Sequence, residues 1–342
     1  MKYLKNKKQV LVSICSLFLT LGLSGCLFES FMDTGLDLHE EYPTILIADE
    51  NYLYKAAFSN PGSGNKTRIE RTDIKNGQSE ILIGSEEIGF VNGTGTSVRF
   101  ENISAMVKVP NSNLIYIGDK CTIRKLDIAL LSVNVVAGSS TNCVAQNGIG
   151  TSAYFSTIKG LVVKDNFLFI ADNTALRKMN LTSLEVTTIA GSLSASGDTN
   201  DTGTNARFGL IGDLALIQDD IYLLDLTYSK IKKVSLATSL VTTFIGSGTW
   251  ASKDGVGLDA QVYFNTSRMS SDGVNFLFFT EDVAIRKVDI SKQEVTTIVK
   301  FDDAREDIDG SISTAKSFFP SGIVYTNEGL FFSNYSGIRR LR

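Results

Sequence analysis

Short apolar runs divided by small polar residues set the pattern of this chain, and residues 160–191 show it most plainly. Gly160-Leu161-Val162-Val163 is followed by Phe167-Leu168-Phe169-Ile170-Ala171-Asp172. Next come Ala175-Leu176-Arg177-Lys178-Met179-Asn180 and Glu185-Val186-Thr187-Thr188-Ile189-Ala190-Gly191. Runs of this length, rich in β-branched and aromatic side chains and bounded by Asn, Asp, Ser and Gly, predict strands joined by tight turns. Four in succession predict a four-stranded antiparallel meander.

The pattern recurs along the chain. Thr187-Thr188-Ile189-Ala190-Gly191-Ser192 has counterparts in Val135-Val136-Ala137-Gly138-Ser139, Thr242-Thr243-Phe244-Ile245-Gly246-Ser247 and Thr296-Thr297-Ile298-Val299. A second marker is an aliphatic residue before a basic pair. It appears at Ile123-Arg124-Lys125, Leu176-Arg177-Lys178, Ile231-Lys232-Lys233, Ile285-Arg286-Lys287 and Ile338-Arg339-Arg340, spaced by 53, 55, 54 and 53 residues. Ahead of each copy stand a Gly-bearing loop and an aromatic, such as Asn92-Gly93-Thr94-Gly95 with Phe100 and Asn147-Gly148-Ile149-Gly150 with Phe155. A period near 54 with four strands per copy predicts propeller blades. The expected fold is therefore all-β, a six-bladed β-propeller of four-stranded antiparallel blades over residues 43–342.

Its two ends are incomplete in complementary ways. Residues 44–84 supply four strands of blade one without a preceding Gly-rich loop, and the last copy stops at Arg342 before its Thr-Thr strand. That leaves the outer edge of blade six open, and open edges are usually covered. Part of Leu36 to Tyr42 is expected to fill it; a three-stranded blade six is the alternative.

With these elements in place, the copies resemble NHL-repeat β-propellers. The likeness lies in the Gly-rich loop, the Phe, the strand ending in Asp and the Ile-Arg-Lys strand; Phe167 to Asn173 with Leu176-Arg177-Lys178 is the best copy. It covers roughly residues 43–342 and implies a propeller, but leaves function open, because such proteins include scaffolds and enzymes. Three departures stand out. Blade one carries the insertion Asn60-Pro61-Gly62-Ser63-Gly64-Asn65, blade four has Lys232 for Arg, and blade five lacks the Gly before its innermost strand.

Residues 1–25 form a separate segment. Lys2, Lys5, Lys7 and Lys8 precede an apolar run from Val10 to Leu23, too short for a comfortable bilayer span and suited to an export signal. Leu23-Ser24-Gly25-Cys26 resembles the lipobox of bacterial lipoproteins. The resemblance implies cleavage before Cys26 and lipid on that residue; an ordinary signal peptide or anchor is the alternative. Residues 26–42 read as a tether with a possible closing strand. Removing residues 1–25, which hold four Lys and no acid, takes the formal charge from -4 to -8. An acidic exported chain is a poor partner for nucleic acid. The expected partners are a membrane, through lipid on Cys26, and a protein or envelope component. The expected location is the bacterial cell envelope; in diderm lipoproteins Leu27 rather than Asp after the lipid site implies the outer membrane.

Few residues suggest chemistry. The single His, His39, lies in the tether, so a His-based triad or a multi-His zinc site has no source in the propeller. That disfavours the branch of the family resembling amidating lyases, which uses such ligands. Cys121 sits in a turn between second and third strands, and Cys143 in the connector to the next blade. Meander topology places both on one face, so either a disulfide or two thiols fits an exported chain. The strand-end acids Asp119, Asp172, Asp225 and Asp282 share that face. They would form either a ring able to hold a cation such as calcium or repeated pairings with the basic residue of the next strand. One acid and one base per blade favours pairing. No cofactor is expected beyond a possible structural calcium. The Gly-rich loops precede strands rather than helices, which argues for tight turns over phosphate cradles. Trp250, the only tryptophan, lies in a long connector and suits either partner contact or packing on neighbouring loops.

The leading reading is a lipid-anchored exported propeller acting as a binding or scaffolding module. The alternatives are a metal-assisted hydrolase or lyase with carboxylates at the channel mouth, and a structural envelope lipoprotein without a small ligand.

Overall fold

A computed structural model describes residues 28–31, 45–58, 65–265, 267–301, 317, 319–334 and 337–341. Cys26, His39 and the expected closing segment 36–42 lie outside the described residues. The chain forms six small antiparallel sheets arranged as a six-bladed β-propeller. The first strand of each blade is innermost. These strands are Leu46–Ala48, Ile103–Lys108, Ile158–Lys164, Ile211–Ile217, Met269–Ser271 and Ile323–Thr326. Each abuts the next around the ring, and the last returns to the first.

Blades two, three and five have five strands rather than the expected four. The extra strands are Gly93–Thr94, Gly148–Ile149 and Gly255–Val256, which are parts of the Gly-rich loops. Each loop runs along the outermost strand of the blade it precedes, as in the pairing of Gly93 with Val133. It thereby satisfies part of an otherwise open edge. In blade four the same contact shrinks to one bridge between Thr202 and Leu240.

The ring has no single core. Apolar side chains cluster between successive blades, for example Tyr116, Phe155, Leu168 and Met179 between blades two and three. The recurring Gly at the end of the outer strand makes this packing possible. Gly191 has φ +81, and a Cβ there would come within 2.5 Å of the Thr174 carbonyl oxygen and 2.6 Å of the Phe208 ring. The Gly therefore brings the outer strand, the turn between strands two and three, and the next blade's Phe into contact.

The seam between blades six and one holds the smallest cluster of the described residues, with Leu46, Leu53, Ile74, Phe331 and Ile338 buried. A main-chain ladder reinforces it. Phe28–Phe31 pairs antiparallel with the last strand, Gly337–Leu341, in the register Phe28 to Leu341 and Phe31 to Ile338. The N-terminal segment thus supplies the missing outer strand of blade six through residues 28–31. The spacing of the repeats located the vacancy. Nothing in those four residues, a short mixed run without the Thr-Thr marker, distinguished them from the rest of 26–42.

Candidate functional site

The strand-end acids are not arranged around the channel. Asp119 and Arg124 are both fully buried and 2.8 Å apart, and Asp172 and Arg177 repeat the geometry at 2.8 Å. In each blade the other carboxylate oxygen accepts two successive backbone N–H groups, from Glu101 and Asn102 or from Ser156 and Thr157. The guanidinium then reaches the Gly-rich loop. Arg177 donates to the Tyr154 and Gln146 carbonyls and to Asn147 Oδ1, and lies over the Phe155 ring at 4.8 Å. The loop, aromatic, acid and base of the repeat therefore form one buried clamp holding the connector to its blade. Burial pulls both guanidiniums below their usual range against the opposing field of the carboxylate. Desolvation is the larger influence, as expected for a buried ion pair that fixes geometry more than it stabilises.

Blade five keeps the spacing, with Glu in place of Asp five residues before the Arg. Glu281, rather than Asp282, pairs with Arg286 at 2.8 Å and accepts the Tyr263 N–H. Asp282 lies in the following turn, where burial raises its carboxyl against a hydrogen bond from Asn265. Glu281 ends its strand as Asp119 and Asp172 end theirs, so the acid expected at Asp282 stands one residue earlier.

Blade four departs further. Lys232 is fully buried but pairs at 2.7 Å with Asp198 of the preceding loop. Asp225 is left with the N–H groups of Gly209 and Tyr228, and burial pushes its carboxyl up to about 6.

Cys121 and Cys143 are joined in a disulfide with Cα atoms 5.4 Å apart. It ties the turn of blade two to the connector entering blade three. Trp250 is 62% exposed on the connector face and meets Tyr263 edge-on at a centroid distance of 6.3 Å. Contact with a neighbouring loop and exposure to solvent thus coexist.

The axial channel is a concavity that all six blades build. Its cavity of about 370 Å³ is walled by inner-strand residues such as Leu46, Ala105, Leu161, Leu214 and Ile323. At its connector-face end stand residues that the repeat pattern did not single out. Arg268 reaches from blade five to three other blades. Its Nη1 donates to the Lys159 carbonyl at 2.6 Å and the Gly212 carbonyl at 3.4 Å, and its Nη2 to the Ser104 carbonyl at 3.3 Å. Irregular register at Ile103/Ala105, Ile158/Gly160 and Ile211/Leu214 accompanies this carbonyl set.

Asp213 joins blades four and five, with Oδ2 accepting the Met269 N–H at 3.0 Å and Oδ1 accepting its neighbour Leu214 N–H. Burial raises its carboxyl, while Arg268 and these N–H groups pull the other way. Lys159 also lines the cavity, and burial together with Arg268 lowers its ammonium. Aligning the copies on their first strands rather than on the basic pair would have exposed the signal, a polar or charged residue opening an apolar strand at Ser104, Lys159, Asp213 and Arg268.

No protein-family model and no curated protein matches this chain. Solved structures do. A streptogramin B lyase is 10% identical, with 93% of this chain and 98% of that chain covered and a TM-score of 0.54. A gluconolactonase from Xanthomonas campestris is 9% identical, over 93% and 90%, with a TM-score of 0.54. An auxiliary nutrient binding protein from Bacteroides ovatus is 10% identical, over 90% and 99%, with a TM-score of 0.47. The likeness is one of fold. The chain is a six-bladed β-propeller.

Proposed function

We propose that this chain is an exported, lipid-anchored propeller of the cell envelope that binds a ligand through its axial cavity and connector face. The observation that carries this reading is the distribution of charged groups. The strand-end carboxylates of blades two, three and five are held in buried clamps. The charged side chains at the connector-face end of the cavity belong to a different set, led by Lys159 and Arg268. A cavity of a few hundred Å³ with apolar walls and a few polar groups suits ligand capture, and function on a propeller belongs to the site rather than the fold. Exposed Trp250 on the same face gives a protein or envelope partner an aromatic contact.

The anchor rests on the basic start, the apolar run and Leu23-Ser24-Gly25-Cys26. Phe28–Phe31 follows Cys26 by two residues and belongs to the outer edge of blade six. At roughly 3.5 Å per extended residue, lipid on Cys26 would hold that rim within about 7 Å of its attachment point. The propeller would then sit edge-first on the membrane instead of swinging on a long tether. Leu27 fits outer-membrane delivery, and the NHL-like repeat fits a scaffold on which loops supply specificity.

Intact-mass analysis of the full chain expressed in a diderm bacterium tests the anchor, and native mass spectrometry of the same sample tests binding. The reading expects cleavage before Cys26, added acyl mass that Cys26→Ser abolishes, and a co-purified ligand. Retention of residues 1–25, or an unmodified Cys26 in the membrane fraction, refutes the anchor. A chain that stays empty in every extract offered refutes the binding role.

A further inference from the structure

We infer that the connector-face end of the axial cavity is a small-oxyanion site, with Lys159 and Arg268 as its charged pair. This rests on the binding role proposed above and names the chemical class of ligand.

The first argument is charge balance. Arg268 is anchored by three main-chain carbonyls from blades two, three and four. These acceptors are neutral, so they orient the guanidinium without cancelling its charge. Among the described residues no carboxylate comes within salt-bridge distance of either Arg268 or Lys159, whereas the buried clamp bases each have one at 2.7–2.9 Å. The nearby acid, Asp213, also lines the cavity and feels the field of Arg268, but it is one carboxylate against two cations, and its oxygens accept the N–H groups of Leu214 and Met269.

The second argument is placement. Both cations line one cavity of about 370 Å³, at the end where the inner strands begin. Lys66, which opens the third strand of blade one, belongs to the same electrostatic group. Burial and the fields of Arg268 and Lys159 lower its ammonium to about 8. Lys159 and Arg268 repel one another in a partly desolvated cavity, and an oxyanion seated between these two relieves that repulsion.

The third argument is contrast. The chain without residues 1–25 has a formal charge of -8, so a positive cavity end is a local feature and not a sample of the overall charge. A preoriented guanidinium beside an ammonium suits a carboxylate or a phosphate group, because Arg268 keeps Nε and one Nη2 N–H as donors and the ammonium adds a point charge. A cavity of this size has room for a small metabolite whose body lies along the apolar inner strands.

Calorimetric titration of the full detergent-solubilised chain with inorganic phosphate, and separately with succinate, tests the assignment and tells which oxyanion source is preferred. The expected result is saturable one-to-one binding of at least one probe. Lys159→Met should weaken it roughly 30-fold or more, the effect of truncating one partner of a desolvated charge contact. Lys75→Met, an exposed lysine in a turn of blade one, should leave it unchanged. A purely structural Lys159 would not sense the probe, so NMR should show the Lys159 ammonium titrating at higher pH when the site is filled.

Where Lys159→Met compromises folding, Arg268→Lys provides a second variant that keeps the charge, loses the fork and should favour succinate and phosphate less. Equal affinity in wild type and Lys159→Met, or no saturable binding of either probe, overturns the oxyanion site. An uncharged ligand found in the cavity by native mass spectrometry also overturns it, while leaving the binding role intact.

Discussion

Replacing Arg177 by Leu tests whether the repeat motif is a structural clamp. The substitution removes the 2.8 Å partner of Asp172 and leaves that carboxylate buried. Breaking a buried pair from one side costs about 3–5 kcal/mol. The other contacts contribute less. The Tyr154 carbonyl already accepts the Gln146 N–H at 2.9 Å and the Gln146 carbonyl the Tyr154 N–H at 3.0 Å, so neither is orphaned. The expected loss is therefore close to the charge contribution. Urea unfolding followed by circular dichroism measures it, with hydrogen exchange at Gly150 and Tyr154 reporting the local effect. Asp172→Asn combined with Arg177→Met removes the stranded charge but keeps one acceptor for the Ser156 and Thr157 N–H groups. It should recover about 2 kcal/mol of the single-variant loss. A cost below about 1 kcal/mol for Arg177→Leu, or a double variant no better than the single, refutes the clamp.

Reducing the Cys121–Cys143 disulfide, which closes a separation of 22 residues, should lower stability by about 3 kcal/mol on the loop-entropy account; unfolding with and without reductant checks this. Gly191→Ala should destabilise strongly, because φ is +81 and the added Cβ meets Thr174 and Phe208; a change in melting temperature within error would contradict the packing described. Asp225, raised to about 6, should show a carboxyl NMR titration near that pH. Its folded pKa lies above its unfolded value of 3.8, so its contribution to stability is fully present below pH 3.8 and fades as pH rises to 6. An opposite slope attributable to Asp225, by comparison with Asp225→Asn, would refute the assignment. Deleting residues 28–31 should lower the unfolding midpoint and expose the last strand to exchange, since the thin seam of blades six and one loses its ladder.

Much of the fold was legible because a propeller writes its geometry into the sequence many times. The outer strands of blades two, three and four run into Gly138, Gly191 and Gly246, and each basic pair sits on a third strand, so repetition made the period and the four-stranded meander legible. The acid–base pairing was legible for the same reason in blades two and three, whereas Asp225 and Asp282 do not pair with the next strand's base. What could not be read were residues without a repeat marker whose partners are set by closure of the ring. Phe28–Phe31 carries no repeat marker, and its role depends on an edge formed by residues more than 300 positions away. Arg268 and Lys159 stand in different copies with different neighbours, and only closure of the ring brings the Lys159 carbonyl and the Arg268 guanidinium together. The Gly-rich loops were read as turns, correctly for their second Gly at φ +54 in Gly95 and Gly150. Their extra strand pairing depends on how the connector crosses the blade edge, a tertiary matter.

Anomalous diffraction from crystals of the protein soaked in selenate tests the central claim most directly, because it locates the oxyanion as well as detecting it. The account predicts a selenium peak inside the axial cavity, within hydrogen-bond reach of Lys159 Nζ and the Arg268 guanidinium, and its loss in Lys159→Met crystals. An empty cavity with selenate bound only on the outer rim, or a cavity peak that persists undiminished in Lys159→Met, would contradict it.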